Sequence, residues 1–354
     1  MMPIHWIDQQ DHLDALFERQ QHAQFVAIDT EFVRRKTFFA ELGLVQLAFS
    51  DEIALIDPLA KLDWGTFKAA LTNPKLTKIF HAVGEDLEVL HDQFQVMPTP
   101  LFDTQIGAAF CGMGISLSLA KLTEALLQEQ LDKSETTSDW LQRPLTQAQQ
   151  AYAAEDVRVL LPMYAQLLAK LAELGRQSWV DQECERLRDK AQSGLIDMQP
   201  HHKSKSADRM SVDEQKRLWA LLRWRDTQAR AKNLPRNWIL QIADAFLIAQ
   251  SPLTDLELFE KFIGRTLPAR RRAAPELFNV MQNANFSGFE PVPVLNNAVK
   301  QRITKLREQS VSAGQALSLA PELVAPRRIL EAIANEAITD SELGWRKAYL
   351  FIAK

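Results

Sequence analysis

The chain has 354 residues and is 46% apolar, which suits two or three domains with full cores and excludes a disordered protein. It holds no apolar run of about 18 residues and no basic, apolar leader in its opening MMPIHWIDQQDH. Neither a membrane span nor a signal peptide is therefore expected, and its two distant cysteines, Cys111 and Cys184, fit a reducing cytoplasm and argue against a cysteine-built metal site. The net charge of −4 conceals an asymmetry: residues 1–200 carry 17 Lys and Arg against 29 Asp and Glu, and residues 201–354 carry 24 against 16.

Strands are predicted over 25–29, 43–49 and 52–56, close enough for a meander, and over 78–82. Helices are predicted over 63–71, 84–93, 104–110, 116–127 and 146–171, with Pro162 expected to kink or break the last. Three adjacent strands followed by strand–helix alternation give an α/β layer with a mixed sheet. Near residues 196–210 the polar, basic stretch DMQPHHKSKSADRM lacks periodicity and marks a boundary. From Ser211 the pattern is helical. Leu218, Leu221, Leu222 and Trp224 begin an amphipathic helix that runs to about Lys232. NLPRNWIL breaks it, with Pro235 placed to start the next element. Ile239, Ile242, Ala243 and Phe246 resume the helical spacing, and the Trp219, Trp224 and Trp238 set reads as core. Residues 295–354 begin with a helix carrying Val299, Ile303 and Leu306, then LSLAPELVAPRRILEAI.

Acidic residues interrupt three apolar runs, where a charge is costly unless something compensates it. Asp29 and Glu31 sit two apart in FVAIDTEF, at the end of the first predicted strand. Period-2 geometry puts both carboxylates on one face, with Thr30 on the other. Such a pair repels unless a cation lies between. Asp86 falls in the first turn of a predicted helix after a second strand, in HAVGEDLEVL. The helix dipole favours an acid there, and spacing alone does not choose among Glu85, Asp86 and Glu88. Tyr152 and Asp156 are i and i+4 on a helix starting near Thr146, so they share a face. A phenol beside a carboxylate can orient an attacking water. A pair of divalent ions, which phosphodiester hydrolysis uses, is one compensation that would explain all three patches.

The order D-x-E, then D, then Y-x-x-x-D resembles the tyrosine-bearing (DEDDy) branch of the DEDD 3′→5′ exonuclease superfamily. HAVGEDLEVLH, LFDTQIGAAFCG, LSLAKL, LDKSETTSDWLQRPL and QAYAAEDVRVLLPMY are similar to ribonuclease D segments in that order and spacing. The resemblance covers roughly residues 3 to 290, and the tail less specifically. It implies a ribonuclease H-like α/β exonuclease domain over 1–200, a helical HRDC domain over 208–290, and a second, weaker HRDC-like domain over 291–354. It selects Asp86 from its neighbours and implies two Mg²⁺ or Mn²⁺ ions. Asp29 would bridge both, Glu31 and Asp156 would complete the coordination of the first ion, Asp86 would hold the second through water, and Tyr152 would hydrogen-bond the attacking water. The implied activity is 3′→5′ exoribonuclease cleavage that releases 5′-mononucleotides from RNA with a free 3′ end, transfer RNA precursors among them. A DNA exonuclease and a non-catalytic RNA-binding scaffold are the alternatives.

Several residues keep two readings. Asp103 is a helix N-cap or a partner of the site. The run Lys133, Ser134, Glu135, Thr136, Thr137, Ser138, Asp139 and Trp140 lines a substrate path or forms an exposed loop with Trp140 packed beneath. Phe32, Phe38 and Phe39, near Arg34, Arg35 and Lys36, steer a single-stranded end or form core beside a solvated turn. Arg223, Arg225, Arg230, Lys232 and Arg236, the run Arg270, Arg271 and Arg272, and Lys300, Arg302, Lys305 and Arg307 contact phosphates or coat helices. No G-x-x-x-x-G-K-[ST] is present, so no use of ATP is expected. No G-x-S-x-G or H-E-x-x-H occurs either. Gly112 and Gly114 read as a turn.

Overall fold

A computed structural model describes residues 2–351 except 133, 136–137, 195–196, 205, 252–254 and 293–295. The chain forms two compact units. One gathers Met1–Val33, Glu41–Gln192 and Leu295–Lys354, and the other Arg34–Ala40 and Ser193–Val294.

The first unit is built on β1 (Ile4–Ile7), β2 (Phe25–Val33), β3 (Glu41–Ala48), β4 (Ile53–Ile56), β5 (Thr77–Phe80) and β6 (Leu101–Asp103). Among the described residues these form one six-stranded sheet in the order β1-β4-β3-β2-β5-β6. The meander β2-β3-β4 is antiparallel, and β1, β5 and β6 join in parallel. The two strands absent from the sequence reading, β1 and β6, have four and three residues, too few to display an alternation. β3 is buried along nearly its whole length, so it reads as a continuous apolar run.

The helices of this part are α1 (Gln10–Arg19), α2 (Gly65–Thr72), α3 (Gly84–Phe94), α4 (Thr104–Phe110), α5 (Leu119–Leu127), α6 (Gln147–Arg158), α7 (Leu160–Leu174) and α8 (Gln177–Gly194). The expected helix over 146–171 is broken at Val159, three residues before Pro162. Pro162 therefore lies in the first turn of α7, where the N–H groups have no acceptor within the helix and a missing one is tolerated. α8 has no strong apolar period for the sequence to show: its 18 residues are mostly polar and, among the described side chains, bury only Val180 and Cys184 deeply.

The second unit holds α9 (Val212–Lys232), α10 (Arg236–Ile239), α11 (Ile242–Gln250), α12 (Leu256–Thr266) and α13 (Ala274–Gln282). Ser211 and Glu214 form a capping box that starts α9 where the sequence places it. Its core joins Leu218, Leu221 and Leu222 to Phe259, Ile263 and Leu277. α11 lies where expected but turns Ala245, Ile248 and Ala249 inward, leaving Ile242 exposed.

The remaining helices are α14 (Asn297–Leu317), α15 (Pro321–Val324), α16 (Arg327–Ala334) and α17 (Asp340–Leu343). Residues 291–354 were expected to be a separate domain. Instead, Val299, Leu306, Leu330 and Trp345 share one core with Phe110, Leu167 and Val180 of the first unit. The Trp345 and Trp179 rings stack at 4.7 Å. Arg346, 1% exposed, pairs with Glu183 and donates to the Val324 carbonyl at 2.8 Å. Short apolar segments look alike whether they close their own core or complete another.

Candidate active site

β2 brings Asp29 and Glu31 to the edge of the core, and α6 brings Tyr152 and Asp156. α6 starts at a capping box: the Thr146 hydroxyl accepts from the Gln149 N–H at 3.1 Å, and the Gln149 carbonyl oxygen accepts from the Thr146 N–H at 3.0 Å. That fixes the phase of the helix, and Asp156 faces the strand. One carboxylate oxygen each from Asp29, Glu31 and Asp156 lie within 4.8 Å of one another. Tyr152 hydrogen-bonds the Asp156 carboxylate.

Asp86 lies outside that trio but is tied to the same strand. It is buried in the first turn of α3, and the Thr30 hydroxyl donates to its Oδ1 at 2.5 Å. Glu85 and Glu88, the competing acids, are exposed. Thr30 alternates away from Asp29 and Glu31 as expected, and that is how it reaches Asp86. Asp103 is the N-cap of α4, accepting from the Gln105 and Ile106 N–H groups. It also accepts from the Ala82 N–H at 3.1 Å and the Val83 N–H at 3.0 Å. The cap thus pins the turn that launches α3, a second task that no local signal announces.

Electrostatics sets these acids apart. Burial, reinforced by the Asp156 charge, pushes Asp29 up. Burial and then the charges of Asp29, Asp156 and Asp86 push Glu31 up. Burial and Asp29 push Asp86 up against the pull of the Thr30 hydrogen bond. Asp156 is pushed up to about 7, chiefly by burial, with the Tyr152 hydrogen bond acting the other way. Oxygen-only donors that repel one another in a partly buried cleft fit a hard divalent cation, which would reverse the cost of ionising them.

Two contacts position this site without touching it. Gly43 on β3 passes so close to Trp140 that a Cβ there would lie 2.6 Å from its carbonyl oxygen. Arg143 grips Asp57 at 2.6 and 2.8 Å, the Gly43 carbonyl at 2.6 Å and the Trp140 carbonyl at 2.9 Å, clamping the segment before α6 to the sheet. Gln46 pairs across the sheet with Asp29 and is fully buried, with no hydrogen-bond partner for either amide atom among the described residues.

A family model described as 3′-5′ exonuclease matches residues 4–172. The chain is 35% identical over 352 residues to ribonuclease D of Xanthomonas oryzae, covering 98% of this chain and 96% of that protein. It is 34% identical over 358 residues to ribonuclease D of Pseudomonas paraeruginosa, covering 97% and 94%. The chain belongs to the ribonuclease D family. Its structure superimposes on Escherichia coli ribonuclease D, an exoribonuclease involved in structured RNA processing, with a TM-score of 0.87 at 30% identity, covering 98% and 96% of the two chains. The protein is thus a nuclease of the 3′→5′ exoribonuclease type, with an α/β exonuclease fold and a helix-rich C-terminal region. No helix among the described residues is long and apolar enough to cross a membrane.

Within this ribonuclease D frame the remaining candidates sort by environment. Trp140 is 2% exposed and packs 6.1 Å from the Tyr152 ring, so the segment before α6 keeps its aromatic in the core. Lys133, Thr136 and Thr137 lie outside the described residues. Phe32 continues β2 opposite Leu42 after a register shift between Glu31 and Phe32. Phe38 sits in the second unit between the guanidinium groups of Arg230 and Arg236, at 4.6 and 4.5 Å. Arg225 is buried against the Leu240 carbonyl, and Arg270 holds Asp244 and the Ile239 carbonyl. Arg223 covers the Trp219 ring. Several arginines that spacing grouped as a phosphate-binding cluster are therefore structural. Trp219 is core, but Trp238 is 57% exposed, contrary to expectation.

Proposed function

We propose that the protein trims the 3′ ends of structured RNA, transfer RNA precursors among them, by hydrolysis assisted by two Mg²⁺ or Mn²⁺ ions, in the cytoplasm. The observation that carries this reading is the convergence of Asp29, Glu31 and Asp156 within 4.8 Å, with Tyr152 on Asp156 and Asp86 anchored to the same strand by Thr30.

In this reading Asp29, Glu31 and Asp156 would hold one ion, and Asp29 and Asp86 the other. Bound there, the ions would supply positive charge that makes a water easier to deprotonate and stabilises the departing 3′ oxygen. The Asp156 carboxylate fixes the Tyr152 hydroxyl, which orients the attacking water. The water oxygen bonds to the last phosphorus as the bond to the 3′ oxygen breaks, the proton the water gives up balances the one the 3′ oxygen takes up, and a 5′-mononucleotide leaves. The α9–α13 unit, read as an HRDC module, supplies RNA affinity through phosphate contacts that carry no sequence information.

The test uses a 5′-labelled RNA stem with a 3′ single-stranded tail beside its DNA equivalent, with Mg²⁺ and then with EDTA. Stepwise shortening of RNA, abolished by EDTA, is the expected result. Shortening of DNA alone would reassign the substrate. No shortening with any divalent metal would leave an RNA-binding scaffold.

A further inference from the structure

Trp238 is the exposed one among eight tryptophans, the other seven being buried or half-buried. Its backbone is hydrogen-bonded on both sides. The Trp238 N–H donates to the Pro235 carbonyl at 2.8 Å, the Leu240 N–H to the Arg236 carbonyl at 3.1 Å, and Arg270 to the Ile239 carbonyl at 3.0 Å. An aromatic face left in water forgoes a large burial gain and is ready for a flat partner.

The surroundings say which partner. The acids nearby are already engaged: Asp226 by Arg230 and Arg236, and Asp244 by Arg270. The Asn233 side-chain oxygen accepts from the Phe38 and Phe39 N–H groups, both at 3.0 Å, and so draws the 34–40 loop onto the turn between α9 and α10. Exposed Arg35 and Lys36 come with that loop. Lys232 is exposed one residue before Asn233, and Arg271 and Arg272 are exposed immediately after Arg270. The unit as a whole carries 18 Lys and Arg against 11 Asp and Glu, a balance of +7. A protein partner would favour an apolar patch depleted of charge. An aromatic plane with a cationic rim suits a base flanked by phosphates.

We propose that Trp238 is a stacking platform for an unpaired base of the RNA strand, with Arg35, Lys36, Lys232, Arg271 and Arg272 meeting the flanking phosphates. The proposal rests on RNA being the substrate. It is tested on the full chain in EDTA by fluorescence anisotropy, with a stem–tail RNA and with the same RNA carrying single abasic positions in the tail. Trp238→Ala raises Kd about tenfold or more, whereas Trp238→Phe, which keeps a ring, raises it by no more than about threefold. One abasic position reproduces the loss in the wild type and adds nothing in Trp238→Ala. Joint Arg271→Ala and Arg272→Ala substitution flattens the salt dependence of Kd. With Mg²⁺ present, the Trp238→Ala loss appears in KM. A wild type that binds and shortens RNA beside a Trp238→Ala variant of unchanged Kd overturns the platform alone. So does an equal loss on blunt, fully paired RNA, or a change in sedimentation that marks the indole as a protein contact. A wild type that neither binds nor shortens RNA removes the nuclease reading together with the platform.

Discussion

Asp29 and Asp156 each contribute an oxygen to the same small volume, so neither can be replaced by the other. Asp29→Asn or Asp156→Asn keeps the shape and removes a charge. We expect hydrolysis to fall by several orders of magnitude while RNA affinity persists, read by gel assay and anisotropy; near-normal turnover in either variant would remove the metal assignment. Thr30→Val deletes the hydroxyl that holds Asp86 and leaves a buried carboxylate short of a donor, at a cost of about 1–3 kcal/mol. Thermal melts with and without divalent ion should both show that loss. The acids also give a pH dependence of known sign. Their pKa values are raised, with Asp156 at about 7 against an ordinary value near 3.8. Between those values the metal-free fold holds protons that the unfolded chain has released, so stability falls as pH rises through that window. Mn²⁺ should therefore raise Tm more at pH 8 than at pH 5, where protons compete for the same oxygens. A gain independent of pH would mean that the ion binds elsewhere.

β2 and α6 were legible because each carries a strong local signal: a β-prone apolar run ending in D-x-E, and a Thr146–Gln149 capping box before an i, i+4 pair. What holds them in register was not. Gly43 looks like an ordinary strand glycine, yet its missing Cβ is what lets the Trp140 backbone approach. Gly43→Ala should cost about 1–3 kcal/mol through overpacking and should reduce turnover by shifting the entry to α6. Denaturant melts and single-turnover assays on the same preparation check both effects. Asp103 shows the same limit. Its cap to α4 is a sequence-local event, whereas its hold on the Ala82–Val83 turn depends on strands β5 and β6 lying side by side.

The charge contrast drawn at residue 200 survives the true division, because the second unit is basic and the first, with its site acids, is acidic. The chain divides near both expected boundaries, at 192–193 and 294–295, but the segment after the second joins the first unit instead of standing as a domain of its own. A chain ended at residue 208 would seem to isolate the nuclease, but it would strip Val299, Leu306, Leu330 and Trp345 from the core they share with Phe110 and Val180. Each buried side chain of that size contributes about 1.5–3 kcal/mol. We expect the truncated chain to lack a cooperative melt by circular dichroism, whereas the full chain has one; a stable, active 1–208 fragment would show that α14–α17 are dispensable.

Local sequence was enough to place the two elements proposed to carry the chemistry, β2 and α6. The spacing of Asp29 with Glu31, and of Tyr152 with Asp156, is set by backbone periods that hold in any fold. The order of the motifs pointed to the exonuclease family before any coordinate. Spacing left Glu85, Asp86 and Glu88 equivalent and only the family motif singled out Asp86, which the fold turns inward; which arginines are spent on carbonyls and rings, and which core the last helices complete, came from tertiary packing. It also decided that Trp238 stays in water. Those outcomes depend on contacts between residues far apart in the chain, and local periodicity carries no record of them.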